Sequence, residues 1–121
     1  MERFKEIEIA PFGAFVRVVM GETIPKILAY MEENFEPGPG IKAEEFQHAN
    51  GAVLKIDVDG LFFWAILFED GTSDEVIVHE VFHLVMKLAD TKGCIWSNES
   101  DEWYAYCIKD TYKKVKDAIN E

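Results

Sequence analysis

The chain contains 121 residues, of which 49% are hydrophobic. This length allows a substantial buried core but is too short for two ordinary domains, so we predict a single domain over residues 1–121. Acidic residues outnumber basic residues by 23 to 12, which gives a net charge of −11 at pH 7. Because nucleic-acid binding depends on clustered lysine and arginine, this charge argues against a nucleic-acid partner.

The sequence carries no pattern typical of export or of a membrane span. Residues 1–6 lack the apolar core of a secretion signal, and no stretch approaches the roughly 18 uncharged apolar residues of a spanning helix. Cys94 and Cys107 lack C-x-x-C spacing and are expected to be free thiols in a reducing compartment. We therefore predict a cytoplasmic protein with no membrane partner.

The amino-terminal third predicts a strand or bent hairpin followed by a helix. Residues 4–20 alternate between apolar and polar, with a bend around Pro11 to Gly13. Thr23 is placed to cap a helix whose first turn tolerates Pro25 and which runs to about Asn34. The residues of this helix expected to face inward are Ile27, Leu28 and Met31.

The middle of the chain predicts a β-hairpin. Two strands, Gly51 to Val58 and Leu61 to Glu69, are joined by Asp59-Gly60, a strong signal for a two-residue turn. The second strand is apolar on both faces. One face is expected to pack on helices, and the other is expected to be core or the floor of a cleft.

The residues His79-Glu80-Val81-Phe82-His83 spell H-E-x-x-H within a helix-forming run. Positions i and i+4 of a helix project from the same side, so both imidazoles can bind one zinc ion while Glu80 points at a bound water. The alternative is that the two histidines simply pack on an amphipathic helix. The motif predicts a zinc site.

The surrounding residues predict a helix over residues 75–89, which ends near Lys92-Gly93. Thr72, Ser73 or Asp74 can cap it, and Thr72 with Glu75 has the spacing of a capping box. Apolar residues cover most of the circumference of this helix, so we expect it to be buried. A metal ion in an open cleft would satisfy the polar groups of the motif.

A catalytic zinc needs a third protein ligand and an open position for water or substrate. His48 is a poor candidate because it lies in a loop that enters a strand. Glu99, Asp101 and Glu102 stand at the start of a second predicted helix, residues 103–120, which should fold back on the first. Alternatively, these carboxylates only cap that helix and complement its dipole.

The second predicted helix carries an apolar stripe and a polar side. Tyr106 lies one turn after Glu102 on the polar side, where its phenol would donate to an oxyanion or be packed with its hydroxyl satisfied. The stripe, which we expect to be core, consists of Ala105, Ile108, Tyr112, Val115 and Ile119. The element order is β, α, β, β, α, α, which predicts an α+β domain of two layers with a small antiparallel or mixed sheet.

In these features the chain resembles the small metallopeptidases in which H-E-x-x-H is followed by an acidic cluster and E-x-x-A-Y, a type often encoded by bacteriophages and mobile elements. His79, Glu80 and His83 match the first half of that pattern, and residues 102–106 match the second. Residues 7–14 resemble the opening strand of the family. The resemblance covers most of the chain, but only the segment from His79 to Tyr106 is specific.

The resemblance implies a minimal zincin-like fold, similar to gluzincins, with Glu102 as the third zinc ligand beside His79 and His83. Zinc would lower the pKa of its water toward about 7, and Glu80 would pass a proton from this water to the leaving amine of a protein or peptide substrate. The chain departs from thermolysin-like enzymes in one respect. Those enzymes place an aspartate four residues after the ligand glutamate, where this chain has Tyr106, so second-shell support for a histidine must come from elsewhere.

A function of a different class is also consistent with the composition. An acidic protein can dock a basic partner or mimic the charge of DNA. In that hypothesis the chain is a protein-binding or inhibitor module, and the H-E-x-x-H segment is structural or holds zinc without turnover.

Overall fold

The computed structural model describes residues 1–40, 49–94 and 97–121. Within these ranges the chain forms four strands and three helices. These elements are β1 (Arg3–Ile9), β2 (Ala14–Gly21), α1 (Ile24–Asn34), β3 (Gly51–Val58), β4 (Leu61–Glu69), α2 (Asp74–Thr91) and α3 (Asp101–Asn120). The predicted hairpins and helices are therefore confirmed, with helix ends that differ by one or two residues.

The four strands form one mixed sheet in the order β1-β2-β4-β3. The two outer pairs are antiparallel hairpins, and the central strands β2 and β4 pair in parallel from Val16 with Trp64 to Gly21 with Glu69. The turn between β3 and β4 places Asp59 at a φ of 53° and Gly60 at 81°, as a two-residue hairpin turn requires. Strands β1 and β3 are consequently the edges of the sheet.

Both faces of the sheet are covered, so the predicted two-layer arrangement is wrong. Along β2, Val18 belongs to a core shared with α2 and α3, whereas the next residue, Val19, belongs to a second core shared with α1. Ile66 and Leu67 of β4 alternate in the same way. Because consecutive residues of both central strands are apolar, each face needs its own cover. The domain is α+β with three layers.

Side-chain caps fix the beginnings of two helices. The Thr23 hydroxyl accepts a hydrogen bond from the Lys26 amide at 3.3 Å and caps α1, as predicted. The Ser73 hydroxyl accepts one from the Val76 amide at 3.3 Å and caps α2. Ser73 is one of the three predicted caps of this helix, whereas the capping box predicted at Thr72 is wrong, since the Thr72 hydroxyl has no hydrogen-bond partner among the described residues.

Helices α2 and α3 form an antiparallel pair. The Lys116 ammonium donates to Asp74 Oδ1 at 2.9 Å, which places the end of α3 beside the start of α2. This hydrogen bond holds the pKa of the Asp74 carboxyl below its usual range. Helix α3 also donates to strand β1, from Lys114 Nζ to the Glu8 carbonyl at 2.9 Å.

The buried face of α3 is rotated from the predicted stripe. Val115 is buried as expected, but Ala105 is exposed, and the other three predicted residues are only partly buried. Tertiary packing selects the neighbouring set, which also has spacing of 3 and 4 residues. The buried residues of α3 are Tyr104, Cys107, Thr111, Val115 and Ala118.

Cys94 is exposed, Cys107 is buried, and neither forms a disulfide. Burial raises the pKa of the Cys107 thiol. Across the described ranges, each helix is too short or too polar to cross a membrane.

Candidate functional site

The two motif histidines lie together on α2. Nε2 of His79 and Nε2 of His83 are 3.1 Å apart, and the two rings meet edge to face with centroids separated by 4.6 Å. The His79 side chain is 67% exposed. Val78 and Phe82, which the sequence predicted as core, are 47% and 43% exposed. The expectation that α2 is buried all round is therefore wrong, since its outer side faces solvent.

The spacing of the two imidazole nitrogens suits a zinc ion. Two nitrogens bound to tetrahedral zinc at about 2.0–2.1 Å lie about 3.3–3.4 Å from each other. The observed 3.1 Å is close to that separation. It also allows one ring to donate a hydrogen bond to the other when no metal is bound. The two histidines could therefore hold a zinc ion as two of the three protein ligands that a catalytic site needs.

Glu80 turns away from the solvent and packs against the edge of the sheet. Its side chain is 12% exposed, and its Oε1 lies 4.0 Å from His79 Nε2. A Cβ atom added to Gly51 of β3 would lie 3.0 Å from Glu80 Cγ and 3.1 Å from Val76 Cγ1. Glycine at position 51 therefore lets α2 approach β3 closely enough to hold the Glu80 carboxylate beside the histidines.

Two open cavities border the histidine pair. The larger cavity has a volume of about 720 Å³ and is lined by His79 and His83 together with the apolar side chains of Val78 and Phe82. The smaller cavity, of about 360 Å³, lies between α2 and the start of β3, and its lining includes Gly51, His79 and Glu80. Exposed apolar side chains thus lie on one side of the imidazoles and Glu80 with an edge strand on the other, and carboxylates of α2 border both cavities.

Within residues 1–40, 49–94 and 97–121, the structure places no third metal ligand beside the pair. Among the described residues, no group of three or more histidine, cysteine, aspartate or glutamate side chains is placed to hold a metal ion. Glu102 is exposed in the first turn of α3, level with the last turns of α2. This places it about two helical turns, or roughly 10 Å, from the histidines along the helix axis. Glu99 and Asp101 are exposed nearby, and His48 lies outside the described residues.

The role predicted for Tyr106 is tested only in part. Its side chain is 58% exposed, so the alternative in which it is packed is wrong. The buried tyrosine of this helix is Tyr104, which is 1% exposed and whose pKa is raised by burial. Donation from Tyr106 to an oxyanion remains a prediction.

Glu75, which was predicted only as part of a capping box, also lies beside the histidine pair. It stands one helical turn before His79 on the same side of α2 and lines both cavities. The sequence indicates this position of Glu75 by the regular four-residue spacing of Glu75, His79 and His83. Glu75 adds a carboxylate to the surface that surrounds the histidines.

Comparison of the chain with sequence models of protein families, with curated proteins and with solved structures found no match. The family resemblance of the segment from His79 to Tyr106 therefore stays a prediction.

Proposed function

We propose that the chain is a zinc-dependent metallopeptidase with a zincin-like arrangement, built on the outer side of α2. The observation that carries this proposal is the 3.1 Å separation of Nε2 of His79 from Nε2 of His83, with Glu80 held beside them. Two imidazoles and a neighbouring carboxylate on one helix are three of the groups that zinc-assisted hydrolysis requires, the third metal ligand being the fourth.

We assign the metal to His79, His83 and Glu102, with Glu75 as the competitor for the third position. Glu102 is about two turns from the pair, so its coordination requires the first turn of α3 to move toward the middle of α2. Glu75 already lies on the histidine side of α2. Mutation of each carboxylate distinguishes the two ligand sets.

Each residue of the site has a separate task in the proposed reaction. Zinc, when bound, would supply Lewis acidity and an activated water near neutral pH. The Glu80 carboxylate accepts a proton from the attacking water and delivers it to the nitrogen of the leaving amine. Glu80 packs close to Gly51 and is 12% exposed, which supports a defined place for its carboxylate beside His79. The exposed Tyr106 phenol would donate to the oxygen of the scissile carbonyl.

The surroundings favour an extended peptide with an apolar residue near the scissile bond. Strand β3 is an edge strand that pairs only with β4 among the described strands, so its outer side offers backbone groups for strand addition. On the other side of the imidazoles, Val78 and Phe82 present an exposed apolar surface. This surface would contact an apolar side chain of the substrate.

The decisive experiment is to replace Glu80 with glutamine. Glu80→Gln should bind zinc like the wild type but lose hydrolysis by about 100- to 10,000-fold, since it removes the general base and leaves the metal ligands in place. The assay incubates proteins of the producing cell with each variant and identifies new termini by mass spectrometry. Glu33→Gln, an exposed change of the same kind on α1, is the matched control. Identical peptide maps for the wild type and Glu80→Gln would refute the proposal.

Metal analysis tests the site without relying on activity. Protein purified without a nickel column should contain about one zinc per chain and lose it in acid, because the ligands bind metal only when deprotonated. Glu102→Ala should weaken zinc binding by about 10-fold or more, whereas Glu99→Ala and Asp101→Ala should change it little. If Glu75→Ala rather than Glu102→Ala releases the metal, the third ligand comes from α2.

A second candidate function is an acidic protein-binding or inhibitor module. The net charge of −11 favours it, since such a surface attracts a basic partner. In that case Glu80→Gln would leave both partner binding and the cellular effect unchanged. The same variant therefore separates the two candidates.

A further inference from the structure

A third cavity, separate from the two at the histidine pair, lies at the opposite end of the sheet. It has a volume of about 420 Å³ and shares no lining residue with the cavities at His79 and His83. Four aromatic side chains at the starts of β2 and β4 line it, namely Phe15, Phe62, Phe63 and Trp64. Phe15 and Phe62 are 56% and 53% exposed, respectively. The size is typical of a small-molecule site.

Arg17 is a charged residue that lines this cavity beside the aromatic side chains. Its guanidinium carbon lies 4.2 Å from the ring centroid of Phe63 and 4.7 Å from that of Phe35, within the range of cation–π contacts. Its Nε is buried and has no hydrogen-bond partner among the described residues. The nearest carboxylate oxygen, Glu6 Oε2, is 3.7 Å from that nitrogen. A buried donor without a hydrogen-bond acceptor is destabilising. The Arg17 side chain as a whole is 26% exposed, so part of it remains open to a ligand.

The charge around the cavity is opposite in sign to that of the whole chain. Arg17 and Lys92 line it, and Lys55 Nζ lies 4.8 Å from the ring centroid of Phe62. Glu6 is the acidic residue among the lining side chains. The last turn of α2 also borders the cavity, but Lys92 offsets the negative potential of its carbonyls. An anion is therefore expected at Arg17 rather than at the end of α2.

We propose that this cavity binds a carboxylate attached to a flat apolar group. The carboxylate accepts hydrogen bonds from the Arg17 guanidinium, whose planar arrangement of donors suits a bidentate contact. The apolar group lies among Phe15, Phe62 and Trp64, where it covers exposed aromatic surface. The ligand is either a free aromatic acid or the carboxyl-terminal aromatic residue of a peptide. This site does not depend on the proposed metal centre.

The test measures binding of 2-naphthoate to the full chain by titration with NMR amide spectra. The wild type should bind it with a dissociation constant near 1 mM, as expected for a fragment of this size. The neutral analogue 2-naphthalenemethanol should bind about 10-fold more weakly. Acetyl-Gly-Phe compared with its amide then reports whether a peptide carboxyl terminus is also accepted. Binding of either acid supports the site and identifies the source of the ligand.

Three variants locate the ligand. Arg17→Gln should lower the affinity for 2-naphthoate by about 10-fold or more, and Phe15→Ala, at an exposed position, should lower it several-fold. Glu6→Gln should raise the affinity because it removes a competing carboxylate. Lys26→Gln, a matched loss of one positive charge on α1, should leave it unchanged. If Arg17→Gln does not fold, the opposite effects of Phe15→Ala and Glu6→Gln decide the question. Equal binding of 2-naphthoate and the neutral analogue, or unchanged affinity in Phe15→Ala and Glu6→Gln, would overturn the proposal.

Discussion

Replacing Gly51 with alanine should push α2 away from the edge of the sheet and disturb Glu80. The new Cβ would lie 3.0 Å from Glu80 Cγ, 3.1 Å from Val76 Cγ1 and 3.2 Å from the Leu67 carbonyl oxygen. These contacts are shorter than ordinary van der Waals separations by a few tenths of an ångström. Overpacking of this kind costs about 1–3 kcal/mol. The reduced entropy of the unfolded chain offsets about 0.4–1 kcal/mol of that cost.

The net loss for Gly51→Ala should therefore be about 1–2 kcal/mol, and the melting temperature should fall by about 4–8 °C for a chain of this length. Thermal unfolding followed by circular dichroism measures this change. Asn50→Ala, at the exposed neighbouring position, should have little effect. In a Glu80→Ala background the loss caused by Gly51→Ala should shrink, because one of the close contacts is gone. An equal loss in both backgrounds would refute the claim that position 51 sets the place of Glu80.

Three further outcomes follow from the described contacts. Ser73→Ala removes the cap of α2 and should lower the melting temperature by about 4 °C, equivalent to about 1 kcal/mol; an unchanged value would contradict the capping role. The lowered pKa of Asp74 means that its bond to Lys116 is fully stabilising above the ordinary aspartate pKa of about 4 and is lost as the pH falls through the lowered value. Lys116→Gln should therefore lower the melting temperature at neutral pH but not in strong acid, and a difference that persists in acid would argue against this pair. Iodoacetamide should modify the exposed Cys94 in the folded protein and reach the buried Cys107 only after denaturation, as shown by one and then two adducts in the intact mass.

The elements that the sequence predicted correctly depend on local backbone preferences. Thr23 and Pro25 define the start of α1 through one cap and one fixed dihedral angle, and both effects act within a single turn. Asp59-Gly60 defines a hairpin turn because both residues accept positive φ. Neither signal needs information from distant parts of the chain.

The features that the sequence did not predict depend on tertiary contacts. The parallel pairing of β2 with β4 joins Val16 to Trp64, and no local pattern encodes that partner. In α3 two apolar stripes have helical spacing, and packing against α2 and the sheet selects the one that contains Tyr104 and Cys107. In α2 the sequence likewise does not show which of the apolar residues face the sheet, so the exposure of Phe82 was not predicted.

The candidate site shows the same division between local and tertiary information. The four-residue spacing of His79 and His83 was sufficient to predict that the two imidazoles lie together, because a helix fixes their relative positions. The place of Glu102 depends on how far α3 extends past α2, which spacing along the chain does not determine. The contact of Glu80 with Gly51 likewise requires knowledge of the edge strand.

The parallel seam between β2 and β4 has a consequence for the order of folding. Each outer pair, β1 with β2 and β3 with β4, is a hairpin of neighbouring segments and closes only a short loop. The seam joins segments separated by α1 and the chain up to residue 61, so it forms against a larger loss of chain entropy and is expected to form late. Until it forms, β2 and β4 each expose an unpaired, largely apolar edge through which partly folded chains can associate.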